Sequence, residues 1–402
     1  MMGKMTDRKA IRVPGFLASG ISAGIKDNGK RDLALIYSEV PATACGVFTT
    51  NRFKAASVLV DEERIKGGSA QAIIINSGNA NAVTGEKGYE GALAMARAVS
   101  ESMGIDENLV LMASTGIIGE RFPIEKITGN VDSLVEGLSR DGIPTAEEAI
   151  MTTDTFPKIV GSTCSVGGKE VTIGGIAKGA GMIEPNMATM LSFIMTDAAI
   201  SHDCLSRIFK EVIARSFNAI TVDGCMSTND TAIILANGIA GNSSVDRSSE
   251  DVATFRDALS AVMVPLATSI VRDGEGATKL IEITIEGARS IEEAKELAYA
   301  VANSNLVKTA FFGEDPNWGR IISAIGSRDI PFPTDSVELY FDDVPLFMNG
   351  EGRTDSEGRL PAIMKKDTVR ILLKIGMGEE SFRLYTSDLS HEYIKINALY
   401  HS

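Results

Sequence analysis

Strand patterns and helix patterns occur in mixed order along this chain, and that order limits the folds open to it more than any other feature. Short apolar runs bounded by Gly, Pro and Asn predict early strands over Leu33–Val40, Ser57–Asp61 and Gln71–Asn76. Apolar residues at helical spacing begin only near Tyr89. A doubly wound parallel sheet needs strands and helices that alternate regularly, and this chain lacks that alternation. The sequence therefore predicts an α+β fold.

The same kinds of pattern occur on both sides of residue 189. Apolar spacing predicts helices over Tyr89–Met103 and Glu250–Val271, and strands over Leu191–Thr196 and Thr231–Leu235. Because both halves of the chain supply strands, neither half is expected to keep a core alone. Two pieces produced by a cut at residue 189 should therefore stay associated.

A glycine-rich break at Asp273–Lys279 precedes a change in the pattern, and we place a domain boundary near residue 285. Residues 1–285 then form the larger domain, and residues 286–402 form a smaller α+β domain.

The smaller domain begins with a clear helix signal. Ser290 and Glu293 have the spacing of a capping box, which predicts a helix that ends at about Asn303. Strands are predicted after this helix around Ile321, Val337, Val369, Phe382 and Tyr393.

A glycine-rich loop, Lys178–Leu191, leads directly into a predicted strand and contains the pair Ala188-Thr189. Its glycines permit unusual backbone angles, and Pro185 stiffens the approach, so the loop can hold Thr189 in a strained conformation. If the Thr189 hydroxyl attacked the Ala188 carbonyl, hydrolysis of the resulting ester would leave an N-terminal threonine. Its α-amine, with an ordinary pKa of roughly 7.7–8.0, would serve as a built-in base. A tight turn before a core strand is the alternative interpretation.

The loop sequence, Lys178-Gly-Ala-Gly-Met-Ile-Glu-Pro-Asn-Met-Ala-Thr-Met-Leu191, resembles the self-cleavage and nucleophile signature of the ornithine acetyltransferase family, the ArgJ family of arginine biosynthesis. Further blocks are similar to blocks of that family, stand in the family's order and span nearly the whole chain. These blocks are Asn76-Ser-Gly-Asn-Ala-Asn-Ala82, Ser114-Thr-Gly-Ile-Ile-Gly119, Thr152-Thr-Asp-Thr155, Asp223-Gly-Cys-Met-Ser-Thr-Asn-Asp-Thr231 and Asp315-Pro-Asn-Trp-Gly-Arg320.

The resemblance implies a fold and an activity. The fold would be a layered α/β/β/α sandwich, with the catalytic site in the larger domain. The activity would be transfer of an acetyl group from N2-acetyl-L-ornithine to L-glutamate by a ping-pong route, after self-cleavage between Ala188 and Thr189. No metal or organic cofactor is expected, and acetyl-CoA as a second acetyl donor is left open. The family resemblance also implies a cytoplasmic heterotetramer built from two copies of each fragment.

The resemblance also implies roles for individual residues. Thr189 would be the nucleophile, and Thr115 and Gly116 would form the oxyanion hole. The family's last substrate contact is usually a terminal threonine, and Ser402 in its place keeps the hydroxyl and loses a methyl group. The substrate contacts would be Thr152, Lys178, Thr189, Glu275, Asn397 and Ser402, with Lys178 meeting a substrate carboxylate and Glu275 a substrate amine.

Charge and composition argue against several other classes of function. The net charge of −14 disfavours nucleic acid or an anionic membrane as the main partner. The four cysteines show no C-x-x-C spacing, and the three histidines lie outside the motif blocks, so a disulfide framework, a zinc site and a histidine-based triad are not predicted. Two rival functions stay open: a self-cleaving amidohydrolase or aminopeptidase with the same threonine, and a binding protein in which the loop is structural.

Overall fold

A computed structural model describes residues 11–184, 190–246, 249–353 and 357–399 of the chain. The described residues form the strands β1 (Phe16–Ile21), β2 (Leu33–Phe48), β3 (Ser69–Asn79), β4 (Val110–Ile117), β5 (Ile159–Val166), β6 (Lys169–Lys178), β7 (Leu191–Thr196), β8 (Ile220–Thr221), β9 (Thr231–Ala236), β10 (Leu280–Ala288), β11 (Glu338–Phe341), β12 (Val344–Met348), β13 (Glu351–Gly352), β14 (Thr368–Lys374) and β15 (Glu380–Ser387). The helices are α1 (Ala56–Arg64), α2 (Gly85–Met103), α3 (Ile124–Thr128), α4 (Val131–Glu136), α5 (Ile143–Ile150), α6 (His202–Ala214), α7 (Ser249–Arg272), α8 (Ile291–Ala302), α9 (Asn305–Phe312), α10 (Trp318–Gly326), α11 (Leu360–Met364) and α12 (His391–Leu399).

The first sheet has the strand order β4-β3-β2-β9-β7-β6-β5, and β1 pairs with the first half of β2. The long strand β2 joins two parts of this sheet. Its first half pairs with β3, its second half pairs with β9, and the β3 pairing is irregular between Tyr37 and Ala42. Residues 39–41 are exposed at this irregularity. The position of the break indicates that β2 passes from one layer of the sheet to the other there.

The cores on either side of the strands establish the layers. One core lies between the two parts of the sheet and contains Ile73 of β3 together with Phe193 of β7. The next residue on each strand faces the other way, as the pleat requires. Ile74 packs against the side of α2, and Ile194 packs in the core that contains α6 and α7. The order of layers is therefore helices, sheet, sheet, helices, and the predicted α+β layered sandwich is confirmed.

In the second layer, two strands that follow residue 189 lie between strands that precede it. Strands β7 and β9 follow residue 189 and lie between β2 and β6, which precede it. Strand β7 is buried at every position. The two halves of the chain therefore share one hydrogen-bonded sheet and one core.

The second sheet has the order β13-β12-β11-β14-β10-β15-β8 and holds most of the later strands. Helix α8 packs on its central strands, and Ser290 accepts a hydrogen bond from the backbone of Glu293 at 3.2 Å, as the capping-box spacing predicts. Residue 285 lies inside β10, and β8 joins this sheet from earlier in the chain. The boundary at residue 285 stays a prediction.

Three of the strand predictions are wrong. The run Ser57–Asp61 belongs to α1, Ile321 belongs to α10, and Tyr393 belongs to α12. An apolar run of five residues fits a buried helix as well as a strand. Ile321 and Ile325 are both buried at the i, i+4 spacing of a helix. Helix α12 buries none of its described side chains, so no apolar pattern marks it.

Helix α7 is long and apolar enough to cross a membrane, judged by length and composition alone. Half of its most apolar window is buried within the protein. Phe255, Leu259, Val262 and Leu266 pack in the core beneath the second layer. This packing is the behaviour of a core helix of a globular domain.

Candidate active site

One cleft collects every predicted site residue that the structure describes. Its volume is about 620 Å3, counting its open mouth. It lies where β4 and β6 end, beside the loops that precede β9 and follow α7. The predicted residues that line it are Thr115, Gly116, Thr152, Lys178, Glu275 and Asn397.

Thr115 and Gly116 lie at the end of β4, next to the end of β3. Gly116 has φ of +133°, a conformation that favours glycine. A Cβ atom at this position would also lie 2.3 Å from the carbonyl carbon of Gly78, so any larger residue would push the two strands apart. The close approach of β3 fixes the backbone at the predicted oxyanion hole.

Lys178, the last residue of β6, is 3% exposed. Its Nζ donates to the Thr152 hydroxyl at 2.8 Å and to the Thr115 hydroxyl at 3.3 Å. A lysine ammonium can only donate, so both hydroxyl oxygens accept and their own hydrogens stay available to other acceptors. This arrangement suits hydroxyl groups that must donate to a substrate oxygen. We call Lys178, Thr115 and Thr152 the inner wall of the cleft.

A buried charge network lies behind the inner wall. Lys158 Nζ bridges the carboxylates of Asp154 and Asp273, at 2.7 Å and 2.5 Å. Burial alone would raise the pKa of Asp154, but the charges of Lys178 and Lys158 outweigh burial and lower that pKa to about 2. Burial lowers the pKa of Lys178, and the nearby Asp154 carboxylate opposes this change. The network therefore holds several charges with almost no solvent contact.

Glu275 and Asn397 form what we call the outer wall. The Asn397 amide donates to Glu275 Oε2 at 2.8 Å, and Asn397 is exposed on α12. Two glycines allow this approach: a Cβ on Gly181 would lie 2.5 Å from the Glu275 carboxylate, and one on Gly276 would lie 2.5 Å from the Tyr393 nitrogen. The outer wall depends on the docking of α12.

Two aspartates hold the described residues that stand before and after residues 185–189. Asp223 accepts from the backbone N–H groups of Met182 at 2.7 Å and Ile183 at 2.9 Å. Asp230 is fully buried and accepts from the Met190 N–H at 3.1 Å. Ala188, Thr189 and Ser402 lie outside the described residues, so the nucleophile, the cleavage site and the terminal contact stay predictions.

A family model described as the ArgJ family matches residues 17–402. The chain belongs to the ArgJ family. The arginine biosynthesis bifunctional protein ArgJ of Geobacter sulfurreducens is 50% identical over 391 residues, which cover 97% of this chain and 100% of the relative. The protein of the same name from Caldanaerobacter subterraneus subsp. tengcongensis is 47% identical over 401 residues, covering 99% of each chain.

One solved structure of an ArgJ family member is also similar. The arginine biosynthesis bifunctional protein of Bacillus halodurans is 38% identical with a TM-score of 0.51, and the match covers 53% of this chain and 100% of the solved chain. The solved chain therefore corresponds to about half of this ArgJ family sequence.

The sequence patterns did not identify the buried charged residues that hold the lining of the ArgJ family site in place. Asp154 lies within the motif Thr152–Thr155, and Asp223 and Asp230 lie at positions of the motif Asp223–Thr231, so acidic residues inside these blocks were a usable signal. Lys158 carries no such signal, because its role depends on contacts with Asp154 and with Asp273, which is 115 residues away in sequence.

Among the described ranges, no group of three or more His, Cys, Asp or Glu side chains is placed to hold a metal ion. The expectation that this ArgJ family chain needs neither a metal nor an organic cofactor stays a prediction. All four cysteines are free thiols.

Proposed function

We propose that this chain is a self-cleaving acetyltransferase that moves the acetyl group of N2-acetyl-L-ornithine to L-glutamate. Cleavage of the Ala188–Thr189 bond makes Thr189 N-terminal. The observation that carries the proposal is the single cleft that gathers six predicted residues from separate elements. The relatives' names, which place them in arginine biosynthesis, support the same conclusion.

The charges of the two walls support the choice of substrate. Acetylornithine has an α-carboxylate at one end and an ammonium group at the other. Lys178 on the inner wall can meet the carboxylate, and Glu275 on the outer wall can meet the ammonium group. A ligand with these two charges, separated by its carbon chain, matches a cleft with one cation and one anion at its walls.

The transfer proceeds in two halves. The Thr189 hydroxyl attacks the acetyl carbon and loses its proton to the α-amine of the same residue. Thr115 and Gly116 stabilise the oxyanion, the carbon–nitrogen bond breaks, and the departing ornithine amine takes up the proton. The glutamate amine then attacks the threonine ester, its proton passes through the α-amine to the Thr189 oxygen as the ester bond breaks, and acetylglutamate leaves. Water must be kept from the ester, because hydrolysis would release acetate.

Self-cleavage is supported by two observations. Strands β7 and β9 lie between strands from before residue 189, so the fragments would remain joined through one sheet. The solved Bacillus halodurans chain matches 53% of this chain, and residues 189–402 make up the same share of the sequence. We propose that the fragments assemble as a cytoplasmic heterotetramer with two copies of each. Native mass spectrometry would test that composition.

A second acetyl donor is part of the proposal. The relatives are named bifunctional proteins, which supports acetyl-CoA-dependent formation of acetylglutamate by the same site. No organic cofactor or metal would be required for either reaction.

The deciding experiment separates transfer from hydrolysis. Purified protein is incubated with acetylornithine and glutamate, and acetylglutamate and free acetate are both measured. An acetyltransferase yields acetylglutamate in step with ornithine. Free acetate without acetylglutamate would instead identify a self-cleaving amidohydrolase. Thr189→Ala is the matched control and should produce neither compound.

A further inference from the structure

The carboxylate of Asp154 is surrounded by hydrogen-bond donors that belong to the substrate site. Its Oδ1 accepts from Gly179 N at 2.6 Å and from Lys158 Nζ at 2.7 Å. Its Oδ2 accepts from Thr152 N at 3.0 Å and lies 4.0 Å from Lys178 Nζ. One side chain thus holds the backbone beside two predicted substrate contacts and faces the ammonium of one of them.

The Asp154 side chain cannot itself touch a substrate, because none of it is exposed. Replacing the carboxylate by the asparagine amide would also disrupt these hydrogen bonds, because all four of the groups that face its oxygens are donors. An asparagine would have to point its own NH2 group at two of them, because each carboxylate oxygen faces two donors. The site therefore depends on a carboxylate at this position.

We propose that Asp154 is a positioning residue, which places Thr152 and Gly179 and presents the Lys178 ammonium to the carboxylate of the substrate. The inference rests on the proposed function for the identity of that substrate. Neither the sequence blocks nor the predicted site residues assign this role to Asp154.

The charges that surround Lys178 explain why this position matters. Burial works against its ammonium, and Asp154 is the strongest opposing influence. Burial also raises the pKa of Glu147 well above its usual range, which favours an uncharged carboxyl beside the network. Six ionisable groups lie close enough to Lys178 for electrostatic interaction with it. They are Asp154, Lys158, Glu147, Glu275, Lys26 and Asp230.

The test compares Asp154→Asn with Glu147→Gln. Both change a buried carboxyl to an amide within the same network. Glu147 accepts from Lys158 N at 2.7 Å through one oxygen, and the carbonyl oxygen of glutamine can keep that bond. Its other oxygen has no partner among the described residues, so an NH2 group there would face no opposing donor. Asp154→Asn should raise KM for acetylornithine about ten- to hundredfold and change kcat much less. The variant removes a buried negative charge and one of the two oxygens that accept hydrogen bonds beside Lys178. Glu147→Gln should leave KM within about twofold of wild type, since the described hydrogen bond of Glu147 goes to Lys158 N and not to Thr152, Gly179 or Lys178.

The pH dependence of kcat/KM for acetylornithine distinguishes a positioning role from a purely structural one, because loss of a purely structural residue would not shift it. Loss of the Asp154 charge lowers the pKa of Lys178, so the ammonium loses its proton at a lower pH. The fall of kcat/KM for acetylornithine on the alkaline side should therefore begin at a lower pH in Asp154→Asn than in wild type or Glu147→Gln.

Three outcomes would overturn the inference. If wild type transfers acetyl groups and both amide variants match it in KM and pH profile, Asp154 does not position Lys178. Asp154→Ser is a second variant, which removes the carboxylate without placing an NH2 group against the surrounding donors. If neither Asp154 variant folds while Glu147→Gln does, Asp154 serves the fold instead of the site. Wild-type protein without any transfer would refute the proposed function itself and the substrate named with it.

Discussion

The inner and outer walls of the cleft present opposite charges but are built differently. The inner wall is centred on Lys178, which lies at a strand end beside two buried side chains, Thr115 and Asp154, and donates to the partly buried Thr152. The outer wall joins a loop carboxylate, Glu275, to Asn397 on a helix with no buried side chain among those described. The strand ends and buried charges hold the inner wall in place, whereas the geometry of the outer wall depends on the position of helix α12. Substitutions in the inner wall should therefore cost more activity than substitutions in the outer wall.

The largest effect in this comparison is expected at Thr115. Thr115→Val keeps the shape of the strand and removes the hydroxyl that accepts from Lys178. Loss of one oxyanion donor should lower kcat about a hundred- to thousandfold with little change in KM. Steady-state kinetics would measure kcat and KM separately. Thr115→Ser, which keeps the hydroxyl, should retain most of the wild-type kcat. A valine variant with normal kcat would remove Thr115 from the oxyanion hole.

The next effect concerns Lys178→Ala. Removal of the buried ammonium should lower kcat/KM for acetylornithine about a hundredfold, mostly through KM, because the substrate carboxylate loses a charged partner. Self-cleavage should change less, and a denaturing gel would follow it in the same preparation. Normal KM for both substrates would show that Lys178 does not bind the carboxylate.

A smaller effect is expected on the outer wall at Glu275. Glu275→Gln keeps the hydrogen bond geometry with Asn397 and removes the charge, so kcat/KM for acetylornithine should fall about tenfold. Glu392→Gln, an exposed change on α12, is the matched control and should behave as wild type. If Glu275→Gln cost as much as Lys178→Ala, the two walls would not differ in the way described.

The smallest effect is expected at Asn397. Its amide donates one hydrogen bond to Glu275 from an exposed position. Asn397→Ala should reduce kcat/KM about three- to tenfold, the usual range for one neutral donor. A hundredfold loss would indicate that the docked position of α12 controls the site more strongly than its exposure suggests.

Much of the fold could be predicted where the apolar pattern is long. Helix α7 and strand β7 begin and end within one or two residues of the predicted positions. Helix α7 buries residues at helical spacing, which leaves a periodic pattern, whereas β7 is buried throughout and is marked by a short apolar run. Residue 321 and helix α12 were assigned wrongly for opposite reasons. A short apolar run around Ile321 fits two structures, and α12 has no buried face to leave a pattern.

The candidate site was predictable at its motif positions and not behind them. Lys178 and Glu275 could be named because a family-like block or glycine-rich surroundings mark them, and Asn397 because the family resemblance implies it. The support that Lys158 gives through Asp154 and Asp273 arises from tertiary contact, and neither spacing nor periodicity records such a contact. The crossing of β2 between two layers was predicted only in part. The predicted strand ends at Val40, before Pro41, where β2 bends, but nothing in the pattern indicates that the strand continues to Phe48.

The central claim is that Thr189 carries the acetyl group, and the mass of the fragment that begins there tests it most directly. Wild-type protein is mixed with acetylornithine in the absence of glutamate, quenched with acid and measured by intact mass spectrometry. The proposed mechanism predicts that the fragment from Thr189 to Ser402 gains the mass of one acetyl group and that added glutamate removes it. An uncut chain, or a fragment that stays unmodified while acetylglutamate still forms with glutamate present, would contradict the threonine-ester mechanism.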